Sequence, residues 1–320
     1  MSSLKQFILK RAIYTTITLF AVSLIIFAIT QLLPGDAAQM MLGQHATEER
    51  IAILEEQMGL NEPVHIQYIN WVSGVATGDM GHSLIYDRPV ADVIEPRLIR
   101  SLQLALLTTL MVIFIGIPLG VFAAIKRGSK FDTLLSGTTY VGVSLPEFVT
   151  GTVLLLLFAG PIFGFLPGGD YSSLLDDGPV EWLRHLLLPS VTLTIVLLAH
   201  VMRQTRTGMI QTLRSEYVRT ARLKGVAERD VLFKHALQNA LLPTITVLAL
   251  NFGWLMGSLV IVEEVFSYPG IGRMVVGAIQ NRDIPLIQGT ILVIAASYII
   301  ANTIADTVYT RLDPRIEYGE

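Results

Sequence analysis

Ser215-Glu216-Tyr217-Val218-Arg219-Thr220-Ala221-Arg222-Leu223-Lys224-Gly225-Val226-Ala227-Glu228-Arg229-Asp230-Val231-Leu232-Phe233-Lys234-His235-Ala236-Leu237-Gln238-Asn239-Ala240-Leu241-Leu242-Pro243 is the stretch on which the reading of this chain turns. Ser215 suits a helix N-cap, and Glu216 suits the positive end of a helix. Val218 and Ala221 share one face, while Arg219, Arg222 and Lys224 stay in water. Gly225 predicts a break in a backbone conformation open to residues without Cβ. A second amphipathic helix follows, carrying Val231, Leu232, Ala236 and Leu237, and it runs into an apolar segment at Pro243. A helix–glycine–helix elbow of this kind is rigid enough to push and has an apolar stripe to lay in a groove.

What surrounds the elbow is a membrane protein. The 320 residues are 52% apolar and 15% charged, and mean hydropathy is +0.57. A soluble domain carries about 25% charged residues, so this chain has too few to wet its own surface. A bilayer core of about 30 Å needs about 20 apolar residues per helix, because lipid leaves no partner for an open backbone group. Six stretches qualify: 12–33, 102–125, 134–159, 186–208, 240–262 and 287–309. The first follows Lys5, Lys10 and Arg11 and outruns a signal-peptide core of about 7–15 residues, so it reads as a retained span. Connections 126–133 and 203–239 are basic; 34–100, 161–185 and 263–286 are acidic or mixed. The positive-inside rule then puts the elbow and both termini in the cytoplasm.

Segment 34–100 is too long for a plain connector. Thr47 to Met58 places Ile51, Leu54 and Met58 on one helical face, and Gly59 fits a C-terminal stop. Pro63 opens a second helix, with Tyr68, Trp71, Val72 and Val75 at helical spacing. The expected organisation is a first span over 1–33, a small external helical subdomain over 34–100, and a core of five spans over 101–320 that contains the cytoplasmic loop 203–239. The subdomain reads as a packed cap, as a docking surface, or as both.

The elbow resembles the cytoplasmic signature loop of binding-protein-dependent ABC import permeases, the EAA loop. In the general pattern Glu-Ala-Ala is followed by three residues and a glycine; this chain has Arg219-Thr220-Ala221 before Gly225. The first two positions depart from that pattern and are similar to the dipeptide/oligopeptide branch. Glu216, Arg219, Thr220, Ala221, Arg222, Lys224, Gly225, His235, Ala236, Asn239, Ala240 and Pro243 fit the branch version. Leu33-Pro34-Gly35-Asp36, Gly59-Leu60, Gly78-Asp79, Arg88-Pro89-Val90, the run Val262 to Arg273, and Leu312-Asp313-Pro314-Arg315 are also similar to it. The resemblance implies an all-α membrane protein with an ABC type I importer permease bundle of about six spans. The long external segment favours the B-type subunit.

The resemblance further implies a second, related permease, two cytoplasmic ATPases that bind ATP and magnesium, and an external solute-binding protein delivering peptides. Movement of the elbow would drive alternating access. Glutathione, nickel chelates and opine- or sugar-like solutes are the alternative cargoes. Glu216, Arg219, Thr220, Ala221, Arg222, Lys224, Gly225, His235, Asn239 and Pro243 are the expected ATPase-coupling residues. His235 reads as a packing residue, with a direct ATPase contact as the alternative.

The residues exclude some chemistry. No Gly-Lys dipeptide occurs, so no Gly-Lys-Ser/Thr phosphate loop is present. There is no cysteine, and the six histidines lack ligand spacing. No catalytic residue, metal ligand or resident cofactor is assigned. A net charge of −3 gives no ground for a nucleic-acid partner. Ser144, Pro146 and Glu147 in the third span, and Asn251, Trp254 and Met256 in the fifth, are candidate pathway or gate residues, because an acidic group at membrane depth is functional by default. Packing is the alternative for each. Glu263 and Glu264 read as contacts to the binding protein or as caps on the bundle. Arg203, Arg206 and Arg214 read as topology signals alone. An ion-coupled transporter would show internal repeats with midplane ion sites, and no clear repeat is seen. An intramembrane hydrolase would need more than His200 and scattered serines.

Overall fold

The computed structural model describes residues 4–32, 47–49, 52–53 and 61–312. Most of the expected helix at 47–58, its Gly59 stop, the 33–36 motif and the Asp313-Pro314-Arg315 end lie outside the described residues. In chain order the elements are α1 (Leu4–Gln31), α2 (Val64–Thr77), β1 (His82–Ser83), β2 (Arg88–Pro89), α3 (Val90–Ile125), α4 (Lys130–Ser144) and α5 (Glu147–Phe158). They continue with α6 (Gly178–Leu213), α7 (Glu216–Leu223), α8 (228–240), α9 (Leu242–Val265), α10 (Ile271–Gln280) and α11 (Ile284–Leu312).

Among the described residues, five helices are long and apolar enough to cross a membrane: α1, α3, α6, α9 and α11. The remaining expected span, the third at 134–159, is not one straight helix. It is α4 and α5, bent by 105°. Pro146 is the cause. It has no N–H to donate, and its ring pushes the preceding residue out of the helical region; Leu145 sits at φ −93°, ψ 130°. The second span starts earlier than 102, because α3 begins at Val90. Within α3, residues Val112–Gly116 form a wide π turn. Such a turn accommodates Pro118, which cannot donate to Phe114.

The chain divides into two compact units. Of the described residues, one holds Leu102–Tyr268 and 300–312. Its core contains Leu104, Leu186, Leu193, Leu255, Leu259, Phe266 and Tyr268, all buried. Helices α3 and α6 meet there at small residues. A Cβ on Gly120 would lie 2.6 Å from Thr205 Cβ and 2.7 Å from the Met202 carbonyl, while one on Gly116 would touch Leu198 and Val201 at 3.3 Å. This small-xxx-small spacing lets two helix backbones approach in lipid, where burial of apolar surface gives no net drive. Large apolar side chains such as Phe114 and Leu134 face outward, at 73% and 67% exposure. That is ordinary for a surface covered by lipid.

The other unit holds the described residues between Leu4 and Ser101 together with Pro269–Ile299. Its core gathers Val90, Ile94, Met274, Leu286 and Ile287. As expected, Pro63 caps the start of α2, and Tyr68 and Trp71 sit on the face that packs along α1. Phe27 lies 5.3 Å from the Tyr68 ring and 6.0 Å from that of Trp71, and Ser23 hydrogen-bonds the Tyr68 hydroxyl at 2.8 Å. The hairpin is held by one buried carboxylate. Asp283 Oδ2 accepts from the Ser83 hydroxyl at 2.6 Å and from the Leu84 and Ile85 amides. Its Oδ1 accepts from the Leu286 amide and caps the start of α11.

A candidate coupling elbow and pathway residues

The elbow is built as two short helices joined at Gly225. Val218 and Ala221, the apolar pair of α7, pack against Val231 of α8, with Leu213 and Val226 beside them. Gly225 takes φ +77°, a left-handed conformation that costs a Cβ-bearing residue about 1–2 kcal/mol. Around it the Gly225 amide donates to the Arg222 carbonyl at 3.0 Å, and the Val226 amide donates to the Ala221 carbonyl at 3.2 Å. These two bonds are a Schellman motif, which ends α7 with its carbonyls satisfied and its apolar contact made. Ser215 does not cap as expected. It holds the N-cap position, but its hydroxyl donates back to the Thr212 carbonyl at 2.6 Å.

Arg222 reaches across the turn to Glu228 in a two-bond pair, Nη2 to Oε1 at 2.7 Å and Nε to Oε2 at 3.1 Å. The hydrogen bonds from Arg222 hold the Glu228 carboxyl below its ordinary range, against a smaller effect of burial. The pair is therefore intact at neutral pH and loosens only on acidification through that lowered value. Both side chains are largely exposed, 43% and 57%, and a surface pair contributes only about 0.2–1 kcal/mol. The apolar cluster, with the Schellman turn, is what makes the elbow one body.

Helix α8 opens with Glu228–Asp230, passes through a π turn at Val231–Ala236 and closes with Leu237–Ala240. With i→i+5 bonding, Val231 and Ala236, five apart, both point inward. The inner face continues into the membrane helices. Ala236 and Ala240 pack with Val121 and Ala124 of α3 and Met209 of α6. A Cβ on Gly208 would lie 2.4 Å from the Ala240 carbonyl. At the foot of α9 the Thr205 and Thr244 hydroxyls meet at 3.2 Å. The elbow is thus seated on α3 and α6 and runs directly into α9.

Of the expected coupling residues, only Ala221 is buried. Glu216, Arg219, Thr220, Arg222, Lys224, Gly225, His235, Asn239 and Pro243 are exposed. His235 is exposed on the chain, and its carbonyl accepts from Asn239 Nδ2 at 3.1 Å. Three large apolar side chains that the sequence reading passed over stand out beside these polar groups: Tyr217 at 47%, Leu223 at 80% and Phe233 at 53% exposure. Their signal was an apolar residue on the wet face of an amphipathic helix.

The pathway candidates separate. Glu147 opens α5 just past the bend, half-buried, and accepts from the Ser258 hydroxyl at 3.3 Å. Ser258 was not anticipated; it lies seven residues from Asn251, on the same face of α9. The Asn251 Nδ2 atom is buried without a partner among the described residues. Ser144 and Pro146 are exposed at the bend, where the Ser144 hydroxyl donates to the Tyr140 carbonyl. Trp254 faces outward, and Met256 is part of the core of its unit, which removes both from the line of Glu147, Ser258 and Asn251. Glu263 is fully buried; it therefore cannot present its carboxylate to an outside protein, and only Glu264 is exposed. Arg206 is more than a topology signal: it forms a bidentate pair with buried Asp132, at 2.7 and 2.8 Å, across α4 and α6.

A multi-span helical bundle with a basic elbow packed against two of its spans defines an integral membrane protein. Comparison with known proteins agrees. Residues 116–318 match the family described as "Binding-protein-dependent transport system inner membrane component", and residues 4–105 match "Binding-prot-dependent transport system membrane comp, N-term". The chain belongs to this family. It is 39% identical to "Probable peptide ABC transporter permease protein y4tP" of Sinorhizobium fredii, over 98% of this chain and 99% of that one. It is 37% identical to "Dipeptide transport system permease protein DppB" of Alkalihalophilus pseudofirmus, over 97% and 98%. It is 35% identical to "Glutathione transport system permease protein GsiC" of Salmonella typhimurium, over 98% and 99%. Among solved structures, "Crystal structure of an amino acid ABC transporter with histidines" aligns with a TM-score of 0.46 at 20% identity, covering 70% of this chain and 94% of that one. The protein is a multi-pass permease subunit of an ABC importer of the peptide and glutathione type, and it is not the ATPase.

Proposed function

We propose that the chain forms half of the translocation pathway for di- and oligopeptides handed over by an external solute-binding protein, and that a second, related permease forms the other half. Two cytoplasmic ATPases, which carry the ATP and magnesium, grip the elbow at 215–239. Both termini face the cytoplasm, and 34–100 is an external subdomain. The observation that carries this reading is the elbow itself. It is a single body with an exposed face of Tyr217, Leu223, Phe233 and basic side chains, and its opposite face is packed into α3 and α6. A push on it cannot be absorbed locally, because the apolar contacts behind it have no slack. Closure of the ATPases shifts the elbow, α6 and α3 move with it, and the gate near the α4–α5 bend alternates between faces. Glu147, with Ser258 and Asn251 nearby, supplies polar groups beside that gate.

The chain has no cysteine, so one introduced thiol is a clean probe. In the assembled transporter, Leu223→Cys is expected to crosslink to an ATPase subunit through a short bifunctional reagent, and to do so differently with and without ATP. Crosslinking to the external binding protein instead, or to nothing in an active complex, would sink the assignment.

A further inference from the structure

Helices α4 and α6 run antiparallel in one unit, clamped at one end by the Asp132–Arg206 pair. Above that clamp they leave a cavity of about 90 Å³. From α4 it is lined by Ser136, Thr139, Tyr140 and Val143, a stripe at helical spacing; from α6 it is lined by His200, Met202, Arg203 and Arg206 among others. The cavity is graded. Its clamp end carries two guanidinium groups and a serine hydroxyl, and its far end carries Val143. It opens outward at Tyr140, which is 60% exposed, and at Val143, 39% exposed.

The two arginines differ. Arg206 has Nε and Nη2 committed to Asp132, which fixes its plane and cancels its charge. Arg203 lines the cavity and makes no ion pair or hydrogen bond among the described residues. A guanidinium at the edge of a membrane helix is costly unless an anion or water meets it. The surplus charge at this spot is therefore positive: Arg203 is itself exposed and stands at the open mouth of a recess whose lining includes the Ser136, Thr139 and Tyr140 hydroxyls. Room on the order of a few water molecules admits a phosphate group and excludes a peptide.

We propose that this recess binds the phosphate of an anionic phospholipid, with Arg203 as its counter-charge, Arg206 and the Ser136 and Tyr140 hydroxyls as donors, and an acyl chain leaving over Val143. Basic pockets between membrane helices recognise anionic headgroups by this chemistry, and each basic residue near the surface contributes on the order of 1 kcal/mol. The site does not depend on what the elbow binds or what the transporter carries.

The test is native mass spectrometry of the full-length chain, purified in detergent and titrated with phosphatidylglycerol or phosphatidylcholine. Wild type is expected to retain phosphatidylglycerol over phosphatidylcholine. Arg203→Gln is expected to lose about fivefold of that retention, the equivalent of about 1 kcal/mol, and Arg203→Lys to keep most of it, with the thermal midpoint of all three unchanged. Equal retention by wild type and Arg203→Gln overturns the site. Displacement of the lipid by millimolar inorganic phosphate overturns the lipid as its occupant.

Discussion

Gly225 shows how much one residue can disclose. Its place between two amphipathic segments predicted a break, and the backbone there takes φ +77° with two reverse-turn hydrogen bonds. A Cβ at this position would meet nothing within 4 Å, so the cost of a side chain is purely backbone strain. Gly225→Ala should therefore weaken the turn by about 1–2 kcal/mol and lower ATP-driven uptake only partially. Gly225→Pro should abolish it, because proline fixes φ near −65° and removes the N–H that donates to Arg222. Uptake assays on both variants at matched membrane levels check this; equal, wild-type rates would show that the turn carries no motion. Other residues were not readable. Asp283 holds the hairpin amides from about 200 positions away in sequence, and Arg206 finds Asp132 across 74. Local pattern contains neither pairing. Ser215 had the right type and the right place for a cap, yet its hydroxyl had a nearer carbonyl in the preceding turn.

At the level of elements, hydropathy found the five long apolar helices among the described residues, because lipid enforces length and apolarity, and it read the bent pair α4–α5 as one further span. It placed boundaries less well: α3 extends back to Val90 and α6 back to Gly178, since a helix need not end where the bilayer does. The Pro146 signal was present in the sequence, but its consequence, a 105° bend, depends on what packs around the break. The π turn at Val231–Ala236 was likewise invisible to a search for helical spacing, although its two ends, Val231 and Ala236, are both alanine-to-valine-sized apolar residues facing inward. The tightest helix contact also belongs to this level. At Gly120, α3 approaches α6 so closely that a Cβ would sit 2.6 Å from Thr205 Cβ. Gly120→Val should destabilise the bundle by about 1–3 kcal/mol or more through overpacking, read as a lowered thermal midpoint in detergent. Gly137→Val, where a Cβ meets nothing within 4 Å, should change little. Equal midpoints for the two would mean that the α3–α6 approach is not a close one.

For the whole molecule, the claim is that force generated by another subunit enters at the elbow and leaves as a change of gate. Each link lies in one continuous body of contacts. Leu223 and Phe233 stand outside; Val218, Ala221 and Val231 lock the two short helices; Ala236, Ala240 and Met209 join them to the spans; and Glu147 and Ser258 meet beside the break. The inner packing of this chain of contacts was only half legible: the apolar stripes could be read, but not which spans they would rest on. The measurement that tests the claim most directly is peptide uptake by the reconstituted transporter in proteoliposomes, with binding protein outside, ATP inside and every ion gradient collapsed by ionophores. Continued uptake that requires ATP, and that is lost in Gly225→Pro while the variant still assembles, is the predicted result. Uptake that ignores ATP and follows an imposed ion gradient would contradict the account.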